Sequence, residues 1–203
     1  MKKKRNRLII RFEGLYRRLI LNFFHQHLVW VLITEYPKSG ASWLALILSE
    51  LSGADFPRQK FPSLSPSIYH GHYRLDKVGG KTIVFWRDPR DIMVSWYFHC
   101  LFESDKNNSQ LVRDIRNKLA FDNVKDIKKN LPAFIRYSFE GSLSPKFSFN
   151  DFFDTWNGRD DVLYSSYEKL QQNPVNEIWR LCKELQLDNV SLDDIGKAVD
   201  KYS

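Results

Sequence analysis

Cysteine is nearly missing from this chain of 203 residues: there are two, Cys100 and Cys182, far apart and in no CxxC arrangement. That pattern points to a reducing compartment and no metal cluster, with a single disulfide as the alternative. Long apolar runs are missing too. A transmembrane helix needs about twenty apolar residues, and none is available before His25. A secretory signal needs an unbroken apolar core, but Leu8-Ile9-Ile10 is cut by Arg11 and Glu13, and Leu19 to Phe24 is brief. No internal repeat or low-complexity tract is present. Excess charge is also missing from most of the chain. Residues 1–18 carry eight basic side chains and one acid, Glu13, while the other residues hold 23 basic and 23 acidic groups. A nucleic-acid-binding domain would show its basic excess across the folded part, so that class is excluded.

What is present suits one α/β domain with a well-buried core and is short for two. Aromatic content is high, 15%, which fits a packed interior, a ring-lined pocket, or both. The +7 net charge sits in a leader, residues 1–27, ahead of a domain spanning 28–203. Lys2, Lys3, Lys4, Arg5, Arg7, Arg11, Arg17 and Arg18 accompany apolar residues at helical spacing, Leu8, Phe12, Leu15, Leu19 and Phe23. A basic amphipathic helix over residues 1–24 can lie on an anionic membrane surface, each basic group adding about 1 kcal/mol. The competing reading is a solvated helix that packs its apolar stripe on the domain.

The spacing predicts a central strand over Leu28 to Glu35, a helix from Ser42 to Ser52, and a loop from Pro57 to Pro66. A short strand follows at Ser67 to Tyr73, and a core strand at Lys81 to Trp86. Pro89 suits the first turn of the next helix. Residues 104–147 are polar, with one helical piece near Gln110 to Leu119. Ser148 and Asp151 make a capping-box pair before Phe149 to Trp156. A strand over Asp161 to Ser165, a helix from Pro174 to Leu187 and a final helix capped by Ser191 complete the chain. Alternating strands and helices give a parallel sheet flanked by helices in a three-layer α/β sandwich, with ligands at the carboxyl ends of the strands.

Three segments fall at such ends. Thr34-Glu35-Tyr36-Pro37-Lys38-Ser39-Gly40-Ala41-Ser42-Trp43 reads as strand, tight turn and helix. Backbone N–H groups at that helix N-terminus make an anion site, to which Lys38 adds charge, Ser39 and Ser42 add hydroxyls, and Gly40 adds freedom to bend. The turn is no Walker A loop, since the second glycine and the Gly-Lys-Ser/Thr ending are missing; a P-loop nucleotide kinase therefore fits poorly. The second segment, Trp86-Arg87-Asp88-Pro89-Arg90-Asp91-Ile92-Met93-Val94-Ser95-Trp96-Tyr97, puts Arg87 at a strand end and Ser95 two turns into a helix. Guanidinium and hydroxyl together suit a phosphate, while Arg-Asp-Pro-Arg-Asp alone reads equally as a salt-bridged helix start. Tyr167-Glu168 follows the last strand.

Tyr-Pro-Lys-Ser-Gly-x-x-Trp, then Arg-Asp-Pro-Arg-Asp-x-x-Val-Ser-x-Tyr, then Tyr-Glu-x-Leu-x-x-x-Pro occur in that order. Over residues 28 to 203 the chain resembles the sulfotransferases that use 3′-phosphoadenosine 5′-phosphosulfate (PAPS), which implies a P-loop-like nucleotide-binding fold. The resemblance implies that Lys38 contacts the phosphosulfate and its bridging oxygen, helped by the Ser39, Gly40 and Ser42 positions. It implies further that Trp43 stacks on adenine, Arg87 and Ser95 bind the 3′-phosphate, and Tyr167 contacts adenine. Trp43 also reads as an ordinary core residue of its helix. The family's general base is a histidine, often in a Lys-Thr-His context; here Tyr69-His70-Gly71-His72-Tyr73 aligns His72 with it, and His70 replaces the lysine. Neutral imidazole can accept a proton at cellular pH. His72 also reads as a structural histidine, as do His25, His27 and His99. The implied reaction is an in-line sulfuryl transfer with His72 as base and Lys38 neutralising the leaving oxygen. It needs no metal and delivers sulfate to a small-molecule, lipid or carbohydrate acceptor, in the cytoplasm or peripherally on its membranes.

Two departures qualify the match. Ala41, in the phosphosulfate cradle, stands where the family usually has Thr, removing one hydroxyl. Family members also continue past the equivalents of Lys201-Tyr202-Ser203 into a Phe over adenine and an Arg-Lys-Gly loop on the 3′-phosphate. The alternative reading is accordingly a weakened or inactive, nucleotide-binding, membrane-associated relative.

Overall fold

The computed structural model describes residues 7–58, 65–77, 80–102, 109–141 and 144–202. Its elements run α1 (Arg7–Phe23), α2 (His25–Leu28), β1 (Val29–Glu35), α3 (Ala41–Ser52), β2 (Ser67–Gly71), β3 (Thr82–Trp86) and α4 (Pro89–Leu101). Then come α5 (Ser109–Leu119), α6 (Ile127–Glu140), α7 (Phe149–Trp156), β4 (Leu163–Ser166), α8 (Tyr167–Gln172), α9 (Pro174–Glu184) and α10 (Leu192–Tyr202). The strands pair in parallel in the order β2-β1-β3-β4. Most of the expected loop from Pro57 to Pro66 lies outside the described residues.

The two-residue period of β1 explains the layers. Val31 and Ile33 point to one side, where with Ile68, Ile83 and Phe85 they meet Leu44, Ile47 and Leu48 of α3, Ile178 and Leu181 of α9, and Ile195 of α10. Leu32 points to the other side and packs with Tyr69 against Ile20 and Leu21 of α1. On that same side Val84 and Tyr36 pack with Ile92 and Met93 of α4 and with Phe152 and Trp156 of α7. A sheet covered on both faces has to be apolar throughout, which is why β1 is an almost unbroken Val, Leu and Ile run. Outside α4 lie α5 and α6, joined through Tyr97, Ile115 and Phe134. Cys100 and Cys182 are both free and buried, which removes the disulfide alternative.

The ends of several helices follow the expected chemistry. Asp88 caps α4 with Pro89 in its first turn, and Ser148 and Asp151 form a full capping box on α7. Ser191 and Asp194 bond reciprocally before α10. Three features were not expected: α2, which takes Leu28 from the expected strand; α6 in the polar stretch, with Pro132 inside it; and α8 directly after β4.

The leader is inverted relative to its second reading. Helix α1 turns Phe12 (63% exposed), Leu15, Leu19 and Phe23 (72%) outward and packs Ile20 and Leu21 inward. Glu13 and Arg17 are buried with them, Arg17 lying 5.5 Å over the Tyr69 ring. The apolar stripe is therefore not what holds the helix to the domain. No described helix is long and apolar enough to cross a membrane.

Candidate active site

The parallel sheet brings four sequence-distant segments to one edge: the turn after β1, His72 after β2, Arg87 after β3 and Tyr167 after β4. The turn after β1 is tight. Ser39 sends both its N–H (3.2 Å) and its hydroxyl (2.8 Å) to the carbonyl of Tyr36, so this side chain shapes the turn and its donors point inward. Lys38 has φ +74°, an unusual backbone state for a residue with a Cβ and one that gathers at functional sites. Its ammonium has no carboxylate partner among the described residues. Gly40 has φ +96°, and a Cβ there would meet the Tyr167 ring at 3.0 Å. Glycine thus satisfies both the left-handed turn and the close ring.

Ala41 starts α3 with its methyl fully buried in the core, and its N–H donates to the Glu35 carboxylate at 2.7 Å. Ala41 therefore reaches the turn through its backbone only. Ser42 is exposed at the same helix start. Trp43 is half-buried against the core of α3, with its indole N–H buried and lacking a hydrogen-bond partner.

Arg87 joins three of the four segments. Its Nη1 donates to the carbonyl of Lys38 at 3.2 Å, and its guanidinium lies 4.2 Å over the Tyr167 ring. Asp91 stands 3.6 Å from Nη2, and Nε is buried without a hydrogen-bond partner. The two readings of Arg-Asp-Pro-Arg-Asp divide by residue: Asp88 caps α4 and pairs with Arg90 at 2.5 Å, while Arg87 faces the turn. The backbone N–H of Asp88 also donates to Glu168 at 2.8 Å, tying the ends of β3 and β4 together. Ser95 sits half-buried in the second turn of α4 and makes no hydrogen bond with Arg87.

His72 is held from below. Its Nδ1 lies 3.0 Å from the carbonyl of Glu35. A carbonyl can only accept, so Nδ1 carries the proton and Nε2 is left as the acceptor. The next residue is pinned on both sides, because Tyr73 N–H donates to Thr34 Oγ1 and Thr34 Oγ1 donates to Tyr73 O. Trp156 Nε1 reaches the same carbonyl at 2.8 Å. Gly71 is needed here, since a Cβ would strike the Tyr73 ring at 2.8 Å. The imidazole keeps an open face, yet crowding around the ring withholds water from its charged form. That pushes its pKa below 6.5, with the Glu35 charge and carbonyl opposing the shift.

The sulfotransferase domain family matches residues 64–199. The chain belongs to the sulfotransferase domain family. It is similar to sulfotransferase 6B1 of Mus musculus, 30% identical over 174 residues that cover 71% of this chain and 51% of that protein. It is 29% identical to the same enzyme of Pan troglodytes over 172 residues, 70% of this chain and 50% of that protein. The chain spans about half the length of these curated relatives. Among solved structures, mouse sulfotransferase SULT7A1 complexed with PAP aligns with TM-score 0.62 at 17% identity, covering 85% of this chain and 63% of that one. Retinol dehydratase in complex with androsterone and inactive cofactor PAP aligns with TM-score 0.55 at 14% identity, covering 93% and 68%. At those identities the likeness is one of fold: α/β, a parallel sheet between helical layers.

The family match begins downstream of the Lys38 turn, so the role of that turn in this sulfotransferase domain rests on its own motif and geometry. Sequence reasoning missed the group beneath it. Glu35 is 4% exposed, accepts the Ala41 N–H and lies 2.9 Å from His70 Nε2. Burial pushes its carboxyl up, and the bond and charge of His70, the charge of His72 and the Ala41 N–H outweigh burial and hold it below its ordinary value. The only sequence signal was an acid ending an apolar strand. His99, read as structural, is half-buried and stacked on Trp96 at 5.1 Å. Burial, then Lys38, then His72 push its pKa down, so it stands within electrostatic reach of both.

Proposed function

We propose that this sulfotransferase domain transfers a sulfuryl group from PAPS to a hydroxyl or amine acceptor. The observation that carries this is Arg87, which bonds the Lys38 carbonyl and stacks on Tyr167, making one cationic surface from three strand ends. The residues fit a nucleotide bearing phosphates: a buried guanidinium Nε and a buried indole N–H lack partners, and the turn has a left-handed glycine at a helix N-terminus. Bound there, the donor supplies an activated sulfuryl group on a phosphate leaving group. Lys38 neutralises charge on the leaving oxygen, with Gly40 and Ser42 offering N–H and hydroxyl donors. Arg87 and Ser95 hold the second phosphate, and Trp43 and Tyr167 offer rings to the base. His72 Nε2 takes the acceptor's proton, its neutral tautomer fixed by the Glu35 carbonyl. Ser39 supports the turn through its bonds to the Tyr36 carbonyl.

Thermal melting with 3′-phosphoadenosine 5′-phosphate tests the site. A ligand at a hundredfold excess over its Kd adds about 2.7 kcal/mol to stability, a shift of several degrees for a domain of this size. No stabilisation at millimolar nucleotide would remove the donor site. Stabilisation without product across an acceptor panel would leave a nucleotide-binding relative in place of an enzyme.

A second reading concerns the leader. We infer that α1 lies on an anionic lipid surface, because its stripe of Ile9, Phe12, Leu15, Leu19 and Phe23 is exposed while the leader is strongly basic. An amphiphilic acceptor, lipid or lipid-linked carbohydrate, is the class that location favours.

A further inference from the structure

Glu35 and His70 form a pair that the reaction sketched above does not use. Parallel pairing aligns Ile33 with His70, so the acid two residues on at the end of β1 leans back over the end of β2. One carboxylate oxygen lies 2.9 Å from His70 Nε2, and the other accepts the first N–H of α3 at 2.7 Å. A carboxylate therefore occupies one donor of the helix start that an incoming anion would use, at the end of the turn that carries Lys38. His70 is the switchable group bonded to that carboxylate: the imidazolium cancels the carboxylate, and the neutral ring does not.

We propose that Glu35 and His70 are a positioning pair that sets the charge beneath the Lys38 turn. With His70 protonated, the pair is neutral and the turn accepts a phosphosulfate; with His70 neutral, the bare carboxylate opposes one. The inference rests on the donor site proposed above.

The other charged and titratable groups around the pair are few. Lys38 lies in the turn above, His72 and Tyr73 follow β2, and His99 faces from α4. Phe56 packs edge-on to His70 at 6.0 Å, with Arg58 beyond it, 5.9 Å from the Phe56 ring. None of these is bonded to the Glu35 side chain, whose hydrogen-bond partners among the described residues are His70 and Ala41. Glu35 and His70 both also act on the charge of His72, so the same variants in a His72→Ala background are the control that isolates the pair.

The test is calorimetric affinity for 3′-phosphoadenosine 5′-phosphate, from about pH 5.5 to about pH 8.5, with the full chain as wild type, Glu35→Gln and His70→Gln. Glutamine at 35 keeps an acceptor for Ala41 N–H without the charge, and glutamine at 70 keeps a donor for Glu35 without a proton to lose. The nucleotide's own protonation is common to all three, so ratios are the readout. Wild type should match Glu35→Gln at low pH and fall at least about fivefold below it at high pH, the repulsion of like charges about 4 Å apart in water being the lower bound for a buried carboxylate. His70→Gln should be the weaker binder throughout, by a constant factor against Glu35→Gln.

A purely structural pair would make both variants weaker than wild type and leave the pH slope alone. Either result, or a wild-type ratio that is flat with pH, overturns the pair's role while leaving the donor site standing. If Glu35→Gln does not fold, the wild-type to His70→Gln ratio decides, with convergence at high pH expected and a constant ratio overturning the proposal. No nucleotide binding by wild type at any pH overturns the donor site and the pair with it.

Discussion

At the scale of single residues, the strongest constraint is on His72. Its Nδ1 is committed to the Glu35 carbonyl at 3.0 Å, and its neighbour Tyr73 is locked to Thr34 through both backbone groups. The ring can neither flip nor drift without breaking bonds. Crowding lowers its pKa from 6.5, so the base form persists to lower pH than a free histidine would allow. The sign follows directly: activity is lost as falling pH protonates Nε2, and the acid limb of kcat/KM should sit below pH 6.5. Replacing His72 by alanine should lower kcat by about 10²- to 10⁴-fold, the usual worth of a positioned base. Thermal stabilisation by the nucleotide should survive, because no phosphate depends on this ring. An acid limb at or above the free-histidine value, or unchanged turnover in the variant, would remove the assignment.

At the scale of elements, α6 shows where packing overrides a polar surface. Asn130 is 5% exposed and donates to Tyr97 Oη at 3.2 Å and to the carbonyl of Asn123 at 2.7 Å, while Tyr97 Oη donates to the carbonyl of Val124. One amide thus bonds α6 to α4 and closes the loop before it. Asn130→Ala should cost about 1–3 kcal/mol, since the Asn123 carbonyl loses its partner in a part-buried place. A double-mutant cycle with Tyr97→Phe in urea should be strongly non-additive, and additive losses would mean that the bridge carries nothing.

This helix was missed in sequence because Pro132 reads as a breaker and the stretch is polar. Its apolar residues, Leu131, Phe134, Ile135 and Tyr137, gain meaning only against α4 and α5. Local signals were legible where the chemistry is local: Asp88 before Pro89, Ser148 with Asp151, and Ser191 with Asp194 all cap as written. The Lys38 turn and the Arg87 strand end were legible for the same reason. Glu35 with His70 was not, because parallel pairing joins residues 35 apart and no local pattern encodes that register. The orientation of Ser39 was not legible for a related reason. Composition reveals a hydroxyl, and only the turn reveals where it points.

At the scale of the whole molecule, α1 poses a question of surfaces. Its inward face holds Ile20 and Leu21 with the buried Glu13 and Arg17, and Arg17 Nη2 reaches the Arg58 carbonyl. Removing the leader would therefore damage the core, and deletion is a poor test of what its outer face does. Burial of Glu13 hides the leader's only acid, while Arg18 stays exposed; Lys2, Lys3, Lys4 and Arg5 lie outside the described residues. An outer face of large apolar groups on a strongly basic leader suits anionic lipid better than a neutral protein surface. Co-sedimentation should accordingly be strong with phosphatidylserine-containing vesicles and weak with phosphatidylcholine alone. It should also fall as salt shortens the Debye length from about 8 Å to about 3 Å. Replacing Phe12, Leu15 and Phe23 by serine should abolish it without changing the nucleotide's thermal stabilisation, because none of the three faces the core. Equal binding to both vesicles, or binding indifferent to those substitutions, would assign the stripe to something other than a membrane. Selective loss would place α1, and the domain it packs on, at a lipid surface, where an amphiphilic acceptor is concentrated before it is ever bound.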